Sequence, residues 1–143
     1  MFKKLLLFFI LSCAARNVFA GNIQATIEIN GITVNGGLLH IAVYSNENDY
    51  KSEQAFIRFT LQPTSEKLTH SLELPEGEYV VSIFQDANNN GKLNTGLFGM
   101  PTEPVGKTNY DLRGAPGDFN KLKVPVNNNS KVLTVNMGRV RVL

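Results

Sequence analysis

Asp86, Asn88 and Asn90 alternate along the chain and Gly91 follows them, within a stretch reading DANNNGKLNTGLFGMP over 86–101. Side-chain oxygens at every second residue, followed by glycine, are what a linear calcium loop offers. Such a loop takes ligands from positions 1, 3, 5, 7, 9 and 12 and needs glycine at position 6 for its turn. Counted from Asp86, the set is Asp86, Asn88, Asn90, the Lys92 carbonyl and Asn94, but position 12 falls on Leu97. The missing bidentate acid must come from elsewhere in the loop, from Glu103, Asp111 or Asp118; Glu103 is taken as the candidate. With so few charged ligands, calcium affinity belongs in the weak range of extracellular modules, roughly 10⁻⁴–10⁻³ M. The simpler account of the same residues is a tight bend, with Asn90-Gly91 at positive φ and Asp86 capping nearby amides.

Other chemistry is thinly supplied. The histidines, His40 and His70, fall in separate apolar segments, half of a zinc site at most, and zinc wants three or four protein ligands. They read better as core or interface histidines. No serine sits in a G-x-S-x-G elbow. Paired carboxylates for a hydrolase would have to be Asp86 and Glu103, and that pair defines the alternative reading, hydrolysis of an envelope polymer. No catalytic constellation stands out.

Residues 1–20 read as a secretory signal: Lys3 and Lys4, an apolar run over 5–11, then Val18-Phe19-Ala20 as an A-x-A-like site. Cleavage is expected after Ala20, which implies a periplasmic or secreted bacterial protein. A second reading makes Cys13 the lipidated residue of a weak lipobox. The leader holds three of the fourteen basic residues (Lys3, Lys4, Arg16), so eleven remain against twelve acids, a net of −1. That balance gives no basic face for nucleic acid. Cys13 is the only cysteine, so residues 21–143 hold no disulfide and no thiolate metal site.

Period-two alternation then recurs in short segments. IQATIEI (23–29) has one apolar face, ITV (32–34) resumes after Gly31, and LLHIAVYS (38–45) is apolar on both faces, as a central strand would be. FIRFTLQP, KLTHSLEL, EYVVSIFQ, NKLKVPV and VLTVNMGRVRV continue the pattern, and ENDYKSEQAF reads as a helical turn or loop. Pro125 marks an edge or bulged strand, and Gly138 a bulge or bend. About seven strands and no convincing helix predict a single antiparallel β-sandwich over 21–143.

One segment exceeds what a sandwich needs. Residues 87–117 carry half of the twelve glycines and half of the six prolines without a clear strand. Loops of more than ~12–15 residues are uncommon in compact domains and tend to be functional. Its apolar residues predict an ordered Ω-loop, with Phe98, Met100 and Tyr110 as the candidate binding residues. The expected role is non-catalytic, contact with a protein or glycan of the cell envelope.

Three stretches, GGLLHIAVYS, LPEGEYVVSIFQDANNNGKLNTGLFGMPTEPVG and GAPGDFNKLKVPV, together resemble the uncharacterised secreted bacterial proteins of the DUF2141 group. The resemblance covers nearly all of the chain beyond the leader. It implies an immunoglobulin- or prealbumin-like sandwich and implies no activity. Asn94 stands where that group usually has an acid. Val105-Gly106-Lys107-Thr108-Asn109 stands where it commonly reads aromatic, Gly, aromatic, Ser/Thr, Asn.

Overall fold

The computed structural model describes residues 21–142; the leader, Cys13 and the cleavage point after Ala20 lie outside them. Eight strands build two sheets. In the first, β1 (Ile23–Asn30) runs between β4 (Lys67–Leu74) and β8 (Val132–Asn136). In the second, β2 (Leu38–Tyr44) and β5 (Gly77–Asp86) are central, flanked by β3 (Ile57–Leu61) and β6 (Val105–Lys107), and β7 (Val124–Val126) pairs with the start of β5. The all-β sandwich expected from alternation is present. One ladder departs from the antiparallel expectation: β8 lies parallel to β1, with Thr26 opposite Val132.

The core lies between the sheets. Ala25, Ile27 and Ile29 of β1, Leu39, Ile41 and Val43 of β2, Val81 and Ile83 of β5, and Leu133 and Val135 of β8 all bury there. Full burial stabilises each large aliphatic side chain by about 1.5–3 kcal/mol. β2 is apolar on its other face too, because the second sheet is covered on both sides. Ala42, Tyr44 and Val80 pack there against Tyr110, Phe119 and Leu122. The covering layer is helix α1 (Glu47–Lys51), helical turn α2 (Phe119–Leu122) and part of the 87–117 loop. Asn46 caps α1 by accepting from the Asp49 amide at 2.8 Å, and Asp118 caps α2 through the Lys121 amide at 3.0 Å.

Several expected strands change shape. Residues 32–34 are not a strand, because a side chain takes the place of a neighbouring strand. Buried Gln85 accepts from the Thr33 amide at 3.1 Å and donates to the carbonyls of Thr33 at 2.7 Å and Gly37 at 3.1 Å. NKLKVPV begins as α2, and only Val124–Val126 pairs, with Pro125 opposite Glu78 at the sheet edge. The last strand stops at Asn136. Gly138 then exchanges both backbone bonds with Val105, 2.8 and 2.9 Å, so the chain crosses there from the first sheet to the edge of the second. That crossing explains the phase change. Among the described residues, no helix is long and apolar enough to span a membrane.

Candidate functional site

β5 ends at Asp86, opposite Leu38 at the start of β2. Asp86 is 2 % exposed, and its carboxylate accepts from the amides of Asn90 at 3.2 Å and Gly91 at 2.8 Å. Asn88 Oδ1 also accepts from the Asn90 amide, and Asn90 Oδ1 accepts from Lys92. Asn90 Nδ2 donates to Asn94 Oδ1 at 2.7 Å. The short polar side chains thus build successive turns from their own backbone, the chemistry for which Asn and Asp are favoured in loops. Positive φ falls on Gly91 (73°), as the Asn90-Gly91 bend implied, but on Asn89 (55°) in place of Asn90.

Glu103 closes the structure. It is 4 % exposed and clamps two amides, Ala87 at 3.0 Å through Oε1 and Asn94 at 3.0 Å through Oε2. Asp86, Asn88, Asn90, Asn94 and Glu103 therefore lie around one corner, and of the three acids considered Glu103 is the one whose carboxylate holds these amides. In this arrangement every one of these side-chain oxygens accepts a hydrogen bond from the loop. Among the described residues no three His, Cys, Asp or Glu side chains gather as a metal-binding group.

His40 stands beside this corner. Its ring stacks on Phe84, its cross-strand partner, at 4.6 Å, and Nε2 lies 3.3 Å from Asp86 Oδ2. Nε2 has no hydrogen-bond partner of good geometry among the described residues. His70 is in the other sheet, stacked on Phe59 at 4.5 Å, so the two histidines do not share a site. The His40–Asp86 approach could not be read from spacing, because it depends on the register of β2 against β5.

Beyond the corner, the chain makes a narrow ribbon. Thr102 N donates to Asn94 O at 2.9 Å and Gly96 N to Met100 O at 2.7 Å. Its tip is a 3-10 turn, Leu97–Gly99, where Leu97 is 84 % exposed and Phe98 101 % exposed. Phe98 sits at φ 61°, a left-handed conformation that a bulky L-residue adopts at a cost of order 1 kcal/mol or more. Tyr110 does not join this surface. It is buried in the layer over Val80 and Leu122, and its hydroxyl donates to Gly114 O at 2.6 Å. Met100 lies between the two, half-buried in a cavity wall.

That cavity, of about 290 Å³, separates the loop from the second sheet. Phe84 and Val105 form its sheet side, and Leu93, Met100 and Pro116 are on its loop side. One charged group enters it. Lys107 is the cross-strand partner of Ser82, and its Nζ donates to Ser82 Oγ at 2.8 Å while lying 5.0 Å from the Tyr50 ring centroid. Among the described residues no carboxylate is within salt-bridge distance of it. Burial lowers Lys107 from 10.5 to about 8, an effect that Glu53 partly opposes. Nothing in the spacing of residues 82 and 107 announces this pair.

The lowered value has a consequence for stability. Between pH 8 and 10.5 the unfolded chain holds a proton that the folded one has lost, so stability rises with pH across that window. Below pH 8 the penalty is complete. Lys107→Met removes it, and after allowance for partial exposure the variant should be more stable at pH 7 by about 2 kcal/mol. Paired denaturation curves should show that advantage vanishing towards pH 10.5; an equal advantage at pH 7 and pH 10.5 would refute the cause.

No curated protein and no solved structure matches this chain. A family does, described as an uncharacterized protein conserved in bacteria, over residues 27–134, which is most of the sandwich and all of the loop. The chain therefore belongs to the DUF2141 family.

Proposed function

We propose that the protein is a non-catalytic binding module of the bacterial cell envelope, exported by its leader and cleaved after Ala20, whose 87–117 loop is the contact surface. The observation that carries this is the ribbon tip. Two large apolar residues, Leu97 and Phe98, project into solvent from a turn anchored at its base by a buried carboxylate, and Phe98 does so in a strained conformation. Backbone strain concentrates at binding sites, and adjoining exposed apolar side chains mark contact surfaces. An envelope protein or glycan offering an apolar face fits such a tip. The double substitution Leu97→Ser, Phe98→Ser should leave the melting temperature unchanged and abolish what the wild-type protein captures from envelope extract. Recovery of the same components by both proteins would refute the reading.

Weak calcium binding at Asp86, Asn88, Asn90, the Lys92 carbonyl, Asn94 and Glu103 is the second reading. It is favoured by the meeting of two carboxylates and three asparagines around one turn. If calcium orders the loop, the melting temperature should rise as calcium passes through roughly 10⁻⁴–10⁻³ M. A flat response would remove it. The hydrolase reading at Asp86 and Glu103 has less support, since both carboxylates are buried and hold backbone amides.

A further inference from the structure

Lys107 is a cation set at the wall of an apolar cavity, and among the described residues the Ser82 hydroxyl is the hydrogen-bond partner of its Nζ. Burying an ammonium without a counter-charge is unfavourable, yet here its Nζ, Ser82 Oγ and the cavity lie together under the loop. A second and wider groove, about 880 Å³, continues from it along the same sheet face and shares Ser82, Phe84, Leu93 and Lys107. Arg58, Lys92 and His40 line that groove, and Glu53 is the single acid among its lining residues. Apolar walls meeting a cationic end describe a receptor for a molecule of the opposite build. The volume falls at the small end of ligand sites, which run from about 300 Å³ upward.

We propose that this cavity binds a small carboxylate with an apolar body, its carboxylate held by Lys107 Nζ and Ser82 Oγ and its apolar part between Phe84, Leu93, Met100 and Val105. The bound carboxylate supplies the charge that Lys107 lacks, and a charge-assisted hydrogen bond is about twice as strong as a neutral one. The bond that Nζ now makes to Ser82 Oγ holds both groups at the cavity wall before the ligand arrives. This goes beyond the envelope-contact reading: Phe98 and Gly99 of the contact tip also line the cavity, but the carboxylate is held by Lys107 and Ser82 on the sheet, which the contact reading does not use.

Octanoate is a suitable probe, with octanol and octylammonium as comparisons of equal chain length. Calorimetric titration of the protein at pH 7 should give one saturable octanoate site, at least tenfold tighter than octanol, and no octylammonium binding. Lys107→Met, which is expected to fold at least as well as wild type, should lower octanoate affinity at least tenfold and leave octanol unchanged. Ser82→Ala, which keeps the cation, should cost less than Lys107→Met. Octanoate affinity should also fall about tenfold per pH unit once pH passes about 8, where Lys107 loses its proton. Glu53, Tyr50, Tyr110, Arg58, Lys92 and His40 surround the site, but only Lys107→Met should remove that pH dependence. Equal binding of octanoate and octanol would overturn the proposal, as would full octanoate affinity in Lys107→Met. Ser82-dependent hydrolysis of a nitrophenyl octanoate ester would also overturn it, by making the pair catalytic.

Discussion

Glu103→Ala should lose about 2–3 kcal/mol of stability, and the Ala87 and Asn94 amide hydrogens should exchange far faster than in wild type. The carboxylate joins the first residue of the long loop to the base of its ribbon, 3.0 Å from each amide. Truncation leaves both donors without a partner in a part-buried place, at about 1–3 kcal/mol for each unsatisfied group. The cost lies near the lower end of the doubled figure because Ala87 is exposed enough for water to replace part of the bond. Glu103→Gln is the informative companion. It keeps one carbonyl oxygen, but its NH₂ faces an N–H donor, so one amide should stay protected and the other should not. Native-state hydrogen exchange reads both positions directly. If both amides stay protected in the alanine variant, the loop is held by something other than Glu103, and the anchored tip loses its physical basis.

Gly37→Ala should be costlier still, about 4 kcal/mol. Gly37 enters β2 at φ 102°, and a Cβ built there would lie 1.9 Å from the Asp86 carbonyl oxygen and 2.6 Å from its carbon. Both atoms are backbone, so no rotamer relieves the overlap. Backbone strain of about 1–3 kcal/mol adds to a similar overpacking cost. Because the residue displaced is Asp86, the amides of Asn90 and Gly91 should lose protection together with global stability. Gly91→Ala is the control. Gly91 also has positive φ, 73°, but nothing lies within 4 Å of its would-be Cβ, so its cost should stay near 1 kcal/mol. Urea denaturation of the two variants separates steric overlap from backbone preference. Equal midpoints would show that the approach of Gly37 to Asp86 relaxes without cost.

The alternating segments announced the sandwich, and the two-faced LLHIAVY its central strand, because burial of a strand face imposes period two on the residues themselves. Errors gathered where a side chain or a sheet edge replaced that rule. Residues 32–34 alternate like a strand, but the backbone of Thr33 is satisfied by the side chain of Gln85, 52 positions away. β6 is only three residues long and sits inside what reads as loop, too short for its period to register. Tyr110 looked like loop surface and is core, because the second sheet has an outer face that needs covering.

The corner at 86–94 divides the same way. That Asp86, Asn88 and Asn90 would turn the chain was legible, since each bonds to backbone within five residues of itself. Glu103 was legible as an acid able to reach back across the loop, although what it grips was not. The His40–Asp86 approach, the Lys107–Ser82 pair and the cavity between loop and sheet were beyond reach. Each depends on strand register or on loop against sheet.

By itself, then, the sequence determined the fold class, the long ordered loop and the Asp-and-Asn corner that begins it. Those follow from local conformational preference and from apolar periodicity, which are written residue by residue. Only the tertiary structure decided which face the loop covers, that Phe98 is left outside and Tyr110 taken in, and that a lysine is stranded in an apolar space. Those depend on which surfaces meet, and packing between segments distant in sequence leaves no periodic trace in either one.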